Sequence, residues 1–220
     1  MLEDNKSYLK DLNEAQLNAV LKIDGPSMVI AGAGSGKTRV LTYKIVHLVE
    51  NGVDPFEILA LTFTNKAARE MKLRISSMIG ESESKNIWMG TFHSVFAKIL
   101  RFEAHKIGFT SDFTIYDTQD SERLISSIIK EKALDKDVYR AKSIRNRISS
   151  LKNNFITVNG YFANNELVES DNLSRKPETG NIYKEYSERL IKSNSMDFDD
   201  LLMKTNESVS YTHLRAHETR

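Results

Sequence analysis

The sequence predicts an α/β protein in which a parallel sheet is interrupted by an inserted, mainly helical subdomain. Up to about residue 107, short apolar runs rich in β-branched residues alternate three times with amphipathic helical segments, which is typical of parallel sheets. From Gly108 onward helical periodicity dominates, and residues 113–116 form the one weak strand signal. The change in pattern indicates two structural regions in a chain of 220 residues.

The first predicted strand, residues 27–30, leads directly into a glycine-rich turn. An amphipathic helix is predicted for residues 39–50, with Gly52 as its stop signal. Glycines let a backbone fold around an anion, so that successive N–H groups and the positive end of the next helix face it. In this register the turn predicts a phosphate-binding loop rather than a turn without a ligand. The loop comprises Ala31, Gly32, Ala33, Gly34, Ser35, Gly36, Lys37 and Thr38.

Three side chains around this loop have chemistry suited to a nucleoside triphosphate. Lys37 would hold the β- and γ-phosphates as a point charge, and the hydroxyl of Thr38 would bind Mg²⁺. Gln16 lies upstream at the start of a predicted capped helix, and its amide offers the donor and acceptor that the N6/N7 edge of adenine requires. Ala31 stands where the usual motif has glycine, a change that the end of a strand tolerates.

The second and third strand–helix pairs follow at short intervals. Residues 58–63 form a buried-type strand after Asp54 and Pro55, and a capped helix then ends near Gly80. Residues 87–91 form the third strand, and residues 94–105 the next helix. Right-handed crossovers would place these strands side by side, with the residues after their C-terminal ends on one rim.

The helical region is predicted to contain helices that begin at Thr118 or Asp120 and run through Lys132, and at residues 139–153 and 181–192. Residues 164–179 are polar and predicted as a loop. The helix 139–153 has five cations with no acidic residue between them, for which a solvated face is favoured over binding of duplex DNA phosphates. These cations are Arg140, Lys142, Arg145, Arg147 and Lys152.

Composition narrows the functional classes. The absence of cysteine excludes disulfides, thiolate nucleophiles and cysteine-based zinc sites. The five histidines are scattered, which disfavours a metal cluster. The net charge of +1 means that nucleic-acid binding would depend on local placement of Lys and Arg. No run of about 18 apolar residues occurs, so we expect a cytoplasmic protein without a membrane anchor.

Four segments, taken in order, resemble the N-terminal motifs of UvrD-like superfamily 1A DNA helicases. They are residues 12–20, 31–38, 61–68 and 90–94. The resemblance covers residues 8–202 and implies a RecA-like P-loop NTPase sheet, subdomain 1A, with the helical subdomain 1B inserted into it. On this basis residues 1–107 are the first part of 1A, residues 108–195 are 1B, and residues 196–208 begin the return to 1A.

The resemblance also implies ATP and Mg²⁺ as cofactors, and 3′ to 5′ movement along single-stranded DNA up to its junctions with duplex. Gln16 would read adenine, Arg39 would lie near the nucleotide, and the loop would hold the phosphates. The residues implied to contact DNA are Thr62, Phe63, Thr64, Asn65, Thr91, Phe92 and His93. From the pattern alone Phe63 and Phe92 could equally be core aromatics. The resemblance favours DNA contact for Phe63 and leaves Phe92 open, and His93 is more often structural than catalytic.

The resemblance is incomplete at the C-terminal end. The family's apolar strand ending in Asp-Glu, which supports magnesium and activates water, is absent. Asp197 is instead expected to cap a helix, because residues 191–195 are too polar for a buried strand. Residues 209–220 match nothing expected there and are predicted to be a foreign tail. The second RecA-like domain is also absent, so we expect nucleotide binding without unwinding. Alternatives are a non-catalytic ATP- or single-strand-binding module, or another P-loop NTPase such as a small kinase.

Overall fold

The computed structural model describes the backbone of residues 4–218 and the side chains of residues 8–209. The chain divides between Val95 and Phe96 into two compact units. Within the described residues, the first unit contains two 3₁₀ helices, four α-helices and two strands, in the order Asp4–Asp11 (3₁₀), α1 Glu14–Leu21, α2 Lys37–Glu50, Pro55–Glu57 (3₁₀), β1 Leu59–Thr62, α3 Asn65–Ile79, α4 Glu81–Ser84 and β2 Trp88–Thr91. Helix α5, Phe92–Glu103, begins in the first unit and ends in the second.

Within the described residues, the second unit continues after α5 with a 3₁₀ helix at Ala104–Ile107, followed by two short strands and six α-helices. In chain order they are β3 Thr114–Tyr116, α6 Thr118–Glu131, α7 Ala141–Asn153, α8 Val158–Ala163, α9 Asn165–Leu173, α10 Thr179–Lys192, β4 Ser195–Asp197 and α11 Phe198–Glu218. The predicted domain boundaries after residues 107, 195 and 208 stay predictions. The predicted foreign tail comprises residues 209–220, and all of its side chains except that of residue 209 lie outside the described range. The foreign tail also stays a prediction.

Helix α3 begins and ends where local signals predict. Thr64 caps α3 by accepting a hydrogen bond from the Ala67 N–H at 3.1 Å, and Gly80, with φ of +90°, ends it. Strands β1 and β2 pair in parallel with Thr62 opposite Thr91, which confirms the predicted side-by-side arrangement of these two strands. The core between the sheet and helices α2 and α3 consists of Ile45, Ile58, Ala60, Met71, Ile75 and Ile87.

The predicted buried strand at residues 27–30 is wrong. These residues are extended but make no strand pairing, and Met28 and Ile30 are 83% and 85% exposed. A strand is stable only when a neighbour satisfies its backbone groups, and among the described residues of this unit β1 and β2 pair with each other. The segment is therefore apolar, but no neighbouring strand among the described residues buries it.

The predicted polar loop at residues 164–179 is also wrong, because it contains α9. Asn164 caps this helix by accepting hydrogen bonds from the backbone of Glu166 and Leu167. Asp171, on the buried side of α9, accepts a hydrogen bond from the Tyr161 hydroxyl at 2.8 Å and forms an ion pair with Arg147 at 3.1 Å. Contacts with distant residues thus stabilise a helix that has little apolar periodicity.

Strand β4, Ser195–Asp197, is a short buried strand that contains the first residue of the acidic group, and only Ser195 of the residues predicted to be too polar for a strand, 191–195, belongs to it. It pairs in parallel with β3, with Met196 opposite Ile115. The Ser195 hydroxyl donates to the Ser193 carbonyl at 3.0 Å, so its polar group is satisfied inside the protein. The capping role of Asp197 is confirmed, because its carboxylate accepts a hydrogen bond from the Asp200 N–H at 2.8 Å.

A buried charge cluster joins four elements of the second unit. The ammonium of Lys152, on α7, lies 2.8 Å from a carboxylate oxygen of Asp197 and 2.8 Å from one of Asp200. The hydroxyl of Tyr186, on α10, donates to the same oxygen of Asp197 at 2.9 Å. The lysine side chain is 2% exposed, so the predicted solvated position is wrong for Lys152. We call Lys152, Tyr186, Asp197 and Asp200 the buried charge cluster.

The pKa values of the charged groups in this cluster depend on both their burial and the charges of their neighbours. Burial alone would lower the pKa of the Lys152 ammonium, but the carboxylates of Asp200 and Asp197 raise it above its ordinary value. Burial raises the pKa of the Asp200 carboxyl, and the negative charge of Asp197 raises it further. Although burial opposes it, Lys152 holds the pKa of Asp197 below its usual range. The cluster is therefore most stable with its lysine charged.

Two more of the five cations of α7 are paired with acids from other helices. Arg145 forms an ion pair with Glu122 of α6, and Arg147 forms one with Asp171 of α9. Arg140 and Lys142 are exposed. Three of the five cations therefore form ion pairs inside this unit, and the other two are exposed to solvent.

Replacing Lys152 with Met should destabilise the protein by about 3–5 kcal/mol at pH 7, because two buried carboxylates lose their cation. The deficit should shrink as the pH falls toward about 5. Lys152 lowers the pKa of both buried carboxyls, so without it burial raises these pKa values further, and protonation at lower pH favours folding of the variant more than that of wild type. Urea unfolding followed by far-UV circular dichroism measures both effects. Lys142→Met, on the exposed face of the same helix, should change stability by less than about 0.5 kcal/mol. Equal unfolding midpoints for the two variants would contradict this prediction.

Replacing Phe155 with Gly should stabilise the protein by about 1 kcal/mol. Phe155 ends α7 with φ of +56°, a left-handed conformation that costs residues with a Cβ about 1–2 kcal/mol. Its ring is 57% exposed, so its loss removes little packing. Phe155→Ala removes the ring but keeps the strain, and should give no gain. Thermal and urea unfolding compare the variants; a gain with Ala as large as that with Gly would show that backbone strain is not the cause.

Candidate functional site

The glycine-rich turn connects residues 27–30 to α2 and includes two left-handed residues. Gly34 has φ of +77° and Gly36 has φ of +85°, a conformation that side chains with a Cβ rarely adopt. A Cβ on Gly36 would lie 2.8 Å from the Gln16 side-chain nitrogen, whereas a Cβ on Gly34 would meet nothing within 4 Å. Glycine at position 36 is thus required twice, by its conformation and by the approach of Gln16.

The first turn of α2 is open. Its N-cap residue is Gly36, and no side chain within the described range caps it or places an acidic group in its first turn. Helices α1 and α3 of the same unit are, by contrast, both capped by side chains, Asn13 and Thr64. Uncapped N–H groups and the helix dipole leave partial positive charge at this end of a helix of 14 residues. The sequence therefore folds into an N-terminus suited to an anion.

Lys37 folds back over the turn from this helix end. Its ammonium donates hydrogen bonds to the carbonyls of Ala31 at 2.8 Å and Gly32 at 2.7 Å. The Ser35 hydroxyl also donates to the Gly32 carbonyl, at 2.7 Å. Both side chains keep the turn closed on itself while the lysine remains exposed. The Lys37 ammonium thus lies at the loop, as the sequence predicts.

The structure brings Gln16, Thr38 and Arg39 to the same helix end. The Gln16 amide donates to the Ser35 carbonyl at 3.1 Å. The Thr38 hydroxyl is exposed, and its backbone carbonyl accepts a hydrogen bond from Thr42 at 2.8 Å. The guanidinium of Arg39 lies 5.6 Å from the ring centroid of Tyr43, one turn along the helix. The sequence predictions did not include Tyr43, although Arg and aromatic residues four apart on a helix are a recognisable signal.

A second group of predicted residues lies at the C-terminal ends of β1 and β2. Thr62 and Thr91 are opposite each other in the sheet, and the Thr62 hydroxyl donates to the Thr64 and Gly90 carbonyls at 3.2 and 3.4 Å. The Thr91 hydroxyl donates to that of Ser94 at 3.0 Å. The two strand ends therefore bring both predicted threonines to one edge, as the parallel arrangement requires.

Phe63 and Phe92 form an aromatic pair at this edge. Their ring centroids are 5.6 Å apart with planes inclined by 58°. Phe63 is 92% exposed, so the alternative that it is a core aromatic is wrong, whereas Phe92 is half-buried. Asn65 and His93, at the first turns of α3 and α5, are exposed. An exposed ring that is supported by a second ring offers a stacking surface.

The part of the chain whose side chains are described, residues 8–209, contains no group of three or more His, Asp or Glu side chains arranged to hold a metal ion by itself. No helix in that range has both the length and the apolar character needed to cross a membrane. The glycine-rich turn and the sheet edge therefore remain the candidate sites.

The chain is similar to known proteins over nearly its whole length. The sequence profile of the UvrD/REP helicase N-terminal domain matches residues 12–219. The chain is 43% identical over 208 residues to the ATP-dependent DNA helicase PcrA of Bacillus subtilis strain 168, covering 91% of this chain and 26% of that protein. It is 41% identical over 195 residues to the PcrA of Leuconostoc citreum, covering 88% and 25%.

A third relative, the PcrA of Staphylococcus epidermidis ATCC 12228, is 40% identical over 200 residues. The chain spans about a quarter of the length of each of these relatives. The matches give no support to a small kinase or a non-catalytic binding module. Because one family profile covers far more than half of the residues, the chain belongs to the UvrD/REP helicase N-terminal domain family.

Proposed function

We propose that this chain is the ATP-binding N-terminal part of an ATP-dependent DNA helicase that moves 3′ to 5′ along single-stranded DNA. The relatives that it matches are named ATP-dependent DNA helicases, and the chain corresponds to about a quarter of each. The observation that carries the proposal is the open N-terminus of α2 behind a glycine-rich turn. Such an end binds phosphate through backbone N–H groups without any further charge.

In this proposal each residue of the turn has a defined role. The N–H groups between Gly34 and Thr38 bind the β- and γ-phosphates, and Lys37 exchanges its contacts with the Ala31 and Gly32 carbonyls for phosphate oxygens. The uncommitted Thr38 hydroxyl fits a ligand of Mg²⁺, which would neutralise phosphate charge when bound. Gln16 reads adenine, and Arg39 lies beside the nucleotide.

Single-stranded DNA is assigned to the edge formed by the ends of β1 and β2. Phe63 would stack on a base, with Phe92 supporting its ring from behind. Thr62, Thr91 and the exposed Asn65 and His93 supply hydroxyl, amide and imidazole groups for phosphate oxygens. Thr64 contributes through its backbone, because its hydroxyl caps α3. Junctions between single strands and duplex are the further substrates that this assignment implies.

The RecA-like arrangement is part of the proposal. Residues 1–107 and 196–208 would form parts of subdomain 1A, with residues 108–195 as the helical subdomain 1B. The parallel pairing of β1 with β2 and the glycine-rich turn in front of α2 support this.

In this proposal the chain binds ATP, but ATP hydrolysis requires further parts of the parent protein. The sequence contains no apolar strand ending in Asp-Glu to support magnesium and activate the attacking water. We therefore expect the 220-residue chain to bind MgATP and single-stranded DNA without unwinding duplex. The parent protein would supply the missing carboxylates and a second domain that closes on the nucleotide.

Lys37→Met should weaken MgATP binding by about 10- to 100-fold, which corresponds to losing a charge-assisted hydrogen bond of about 1.5–3 kcal/mol. Lys72→Met provides a matched control, because Lys72 is exposed on α3 of the same unit. Fluorescence titration with a labelled ATP analogue measures both. If wild type and Lys37→Met bind equally, or if neither binds, the assignment of the phosphate loop is wrong.

Phe63→Ala should weaken binding of oligo-dT by about 1–3 kcal/mol, the range for losing one base-stacking ring. Phe56→Ala is the matched control, since Phe56 is 61% exposed in the same unit and lies away from the edge of Thr62 and Thr91. Fluorescence anisotropy at constant salt gives the affinities. Equal losses in the two variants would indicate a non-specific contribution of exposed rings and remove Phe63 from the DNA site.

A further inference from the structure

The side-chain amide of Gln16 is held at both of its ends. Its oxygen accepts a hydrogen bond from the backbone N–H of Asn13 at 3.2 Å. Its nitrogen donates one to the backbone carbonyl of Ser35 at 3.1 Å. One partner belongs to the start of α1 and the other to the phosphate loop, so this amide links the two.

These two partners have opposite polarity, and together they fix which way the amide points. A backbone N–H must face the amide oxygen, and a carbonyl must face the amide nitrogen. Rotating the amide by half a turn would place donor against donor at Asn13 and acceptor against acceptor at Ser35. The orientation is therefore determined by the hydrogen bonds, and not by the shape of the side chain.

Each end of the amide keeps one unused bonding position. A glutamine oxygen can accept two hydrogen bonds and its nitrogen can donate two, and one of each is used here. One acceptor position and one donor position remain on the same amide. Adenine presents an N6–H donor next to the N7 acceptor, which matches this pair. Guanine presents two acceptors, O6 and N7, and cannot match it unless the amide turns over.

Asn13 organises this arrangement through a reciprocal cap. Its side-chain oxygen accepts a hydrogen bond from the Gln16 N–H at 2.9 Å, while its own N–H binds the Gln16 side chain. This pair of bonds is a capping box that begins α1. The same residue therefore fixes both the backbone and the side chain of Gln16.

We propose that Asn13 is a positioning residue for base selection, which sets the amide of Gln16 in the orientation that accepts adenine and rejects guanine. This inference rests on the proposed function, because it requires a nucleotide at the phosphate loop. Asn13 itself touches no nucleotide and acts through Gln16. The Ser35 carbonyl is the second fixed point, supplied by the loop that would hold the phosphates.

Asn13→Pro removes both the N–H that holds the Gln16 oxygen and the side-chain oxygen that caps the Gln16 N–H. The φ angle of Asn13 is −72°, which proline adopts without strain. We expect wild type to prefer ATP over GTP by about tenfold or more, as for one well-placed bidentate base contact. In Asn13→Pro that preference should fall to about threefold or less. Binding of tripolyphosphate, which has no base, should be unchanged.

Two further variants separate positioning from folding. Asn13→Ser keeps both the N–H and a capping oxygen, and should retain the preference for ATP. Gln16→Glu keeps the oxygen facing Asn13 but removes the nitrogen that donates to Ser35 and to N7, and should lose the preference. Far-UV circular dichroism of each chain checks that the helix content is maintained. Labelled ATP and GTP and competing tripolyphosphate are the probes.

The outcomes are distinguishable. Loss of the ATP preference in Asn13→Pro and Gln16→Glu, with tripolyphosphate binding intact in Asn13→Pro and with Asn13→Ser like wild type, supports the inference. Retention of the preference in Asn13→Pro, or equal binding of ATP and GTP by wild type, overturns it while leaving the proposed function in place. Failure of wild type to bind either nucleotide or tripolyphosphate contradicts the proposed function itself.

Discussion

The uncapped first turn of α2 is the constraint from which the rest of the proposed nucleotide site follows. A helix end without a side-chain cap leaves N–H groups that water or a ligand must satisfy. Here Gly36 begins the helix in a left-handed conformation, and Gln16 occupies the space that a Cβ would need. Lys37 is confined to the same turn by the carbonyls that it binds. The lysine ammonium and the free backbone N–H groups therefore lie at the same helix end, and the first turn of α2 contains no acidic residue.

In the second unit the equivalent constraint is the buried charge cluster. Lys152 comes from a helix in the middle of the chain, and its two carboxylate partners flank the start of α11. A buried cation that satisfies two acids imposes one relative placement of α7, β4 and α11, because separating them leaves an unpaired charge. Apolar packing around Tyr161, Tyr183 and Tyr186 then completes a core on these fixed elements. The buried charges fix how these elements are placed in the core, and the burial of apolar side chains adds to the stability of the core.

Features determined by neighbouring residues were predictable from the sequence, and features determined by distant partners were not. The glycine loop, α2 and the capped start of α3 depend on residues a few positions apart, and all were found. The strand at residues 27–30 failed because a strand depends on a pairing partner. Helix α9 and the buried position of Lys152 were missed because their partners, Tyr161 and Asp197, are identified only by folding. For the candidate site, the sequence predicted Gln16 and the loop, whereas the role proposed for Asn13 rests on hydrogen bonds that only the structure shows.

The most direct test is hydrogen–deuterium exchange of the wild-type chain with and without MgATP. Amides that bind phosphate exchange more slowly, and local protection reports which segment carries the ligand. We predict that MgATP slows exchange in residues 31–39 and in the start of α1, and that magnesium alone does not. Unchanged exchange across residues 31–39 at a nucleotide concentration that saturates binding would contradict the assignment of this loop as the nucleotide site.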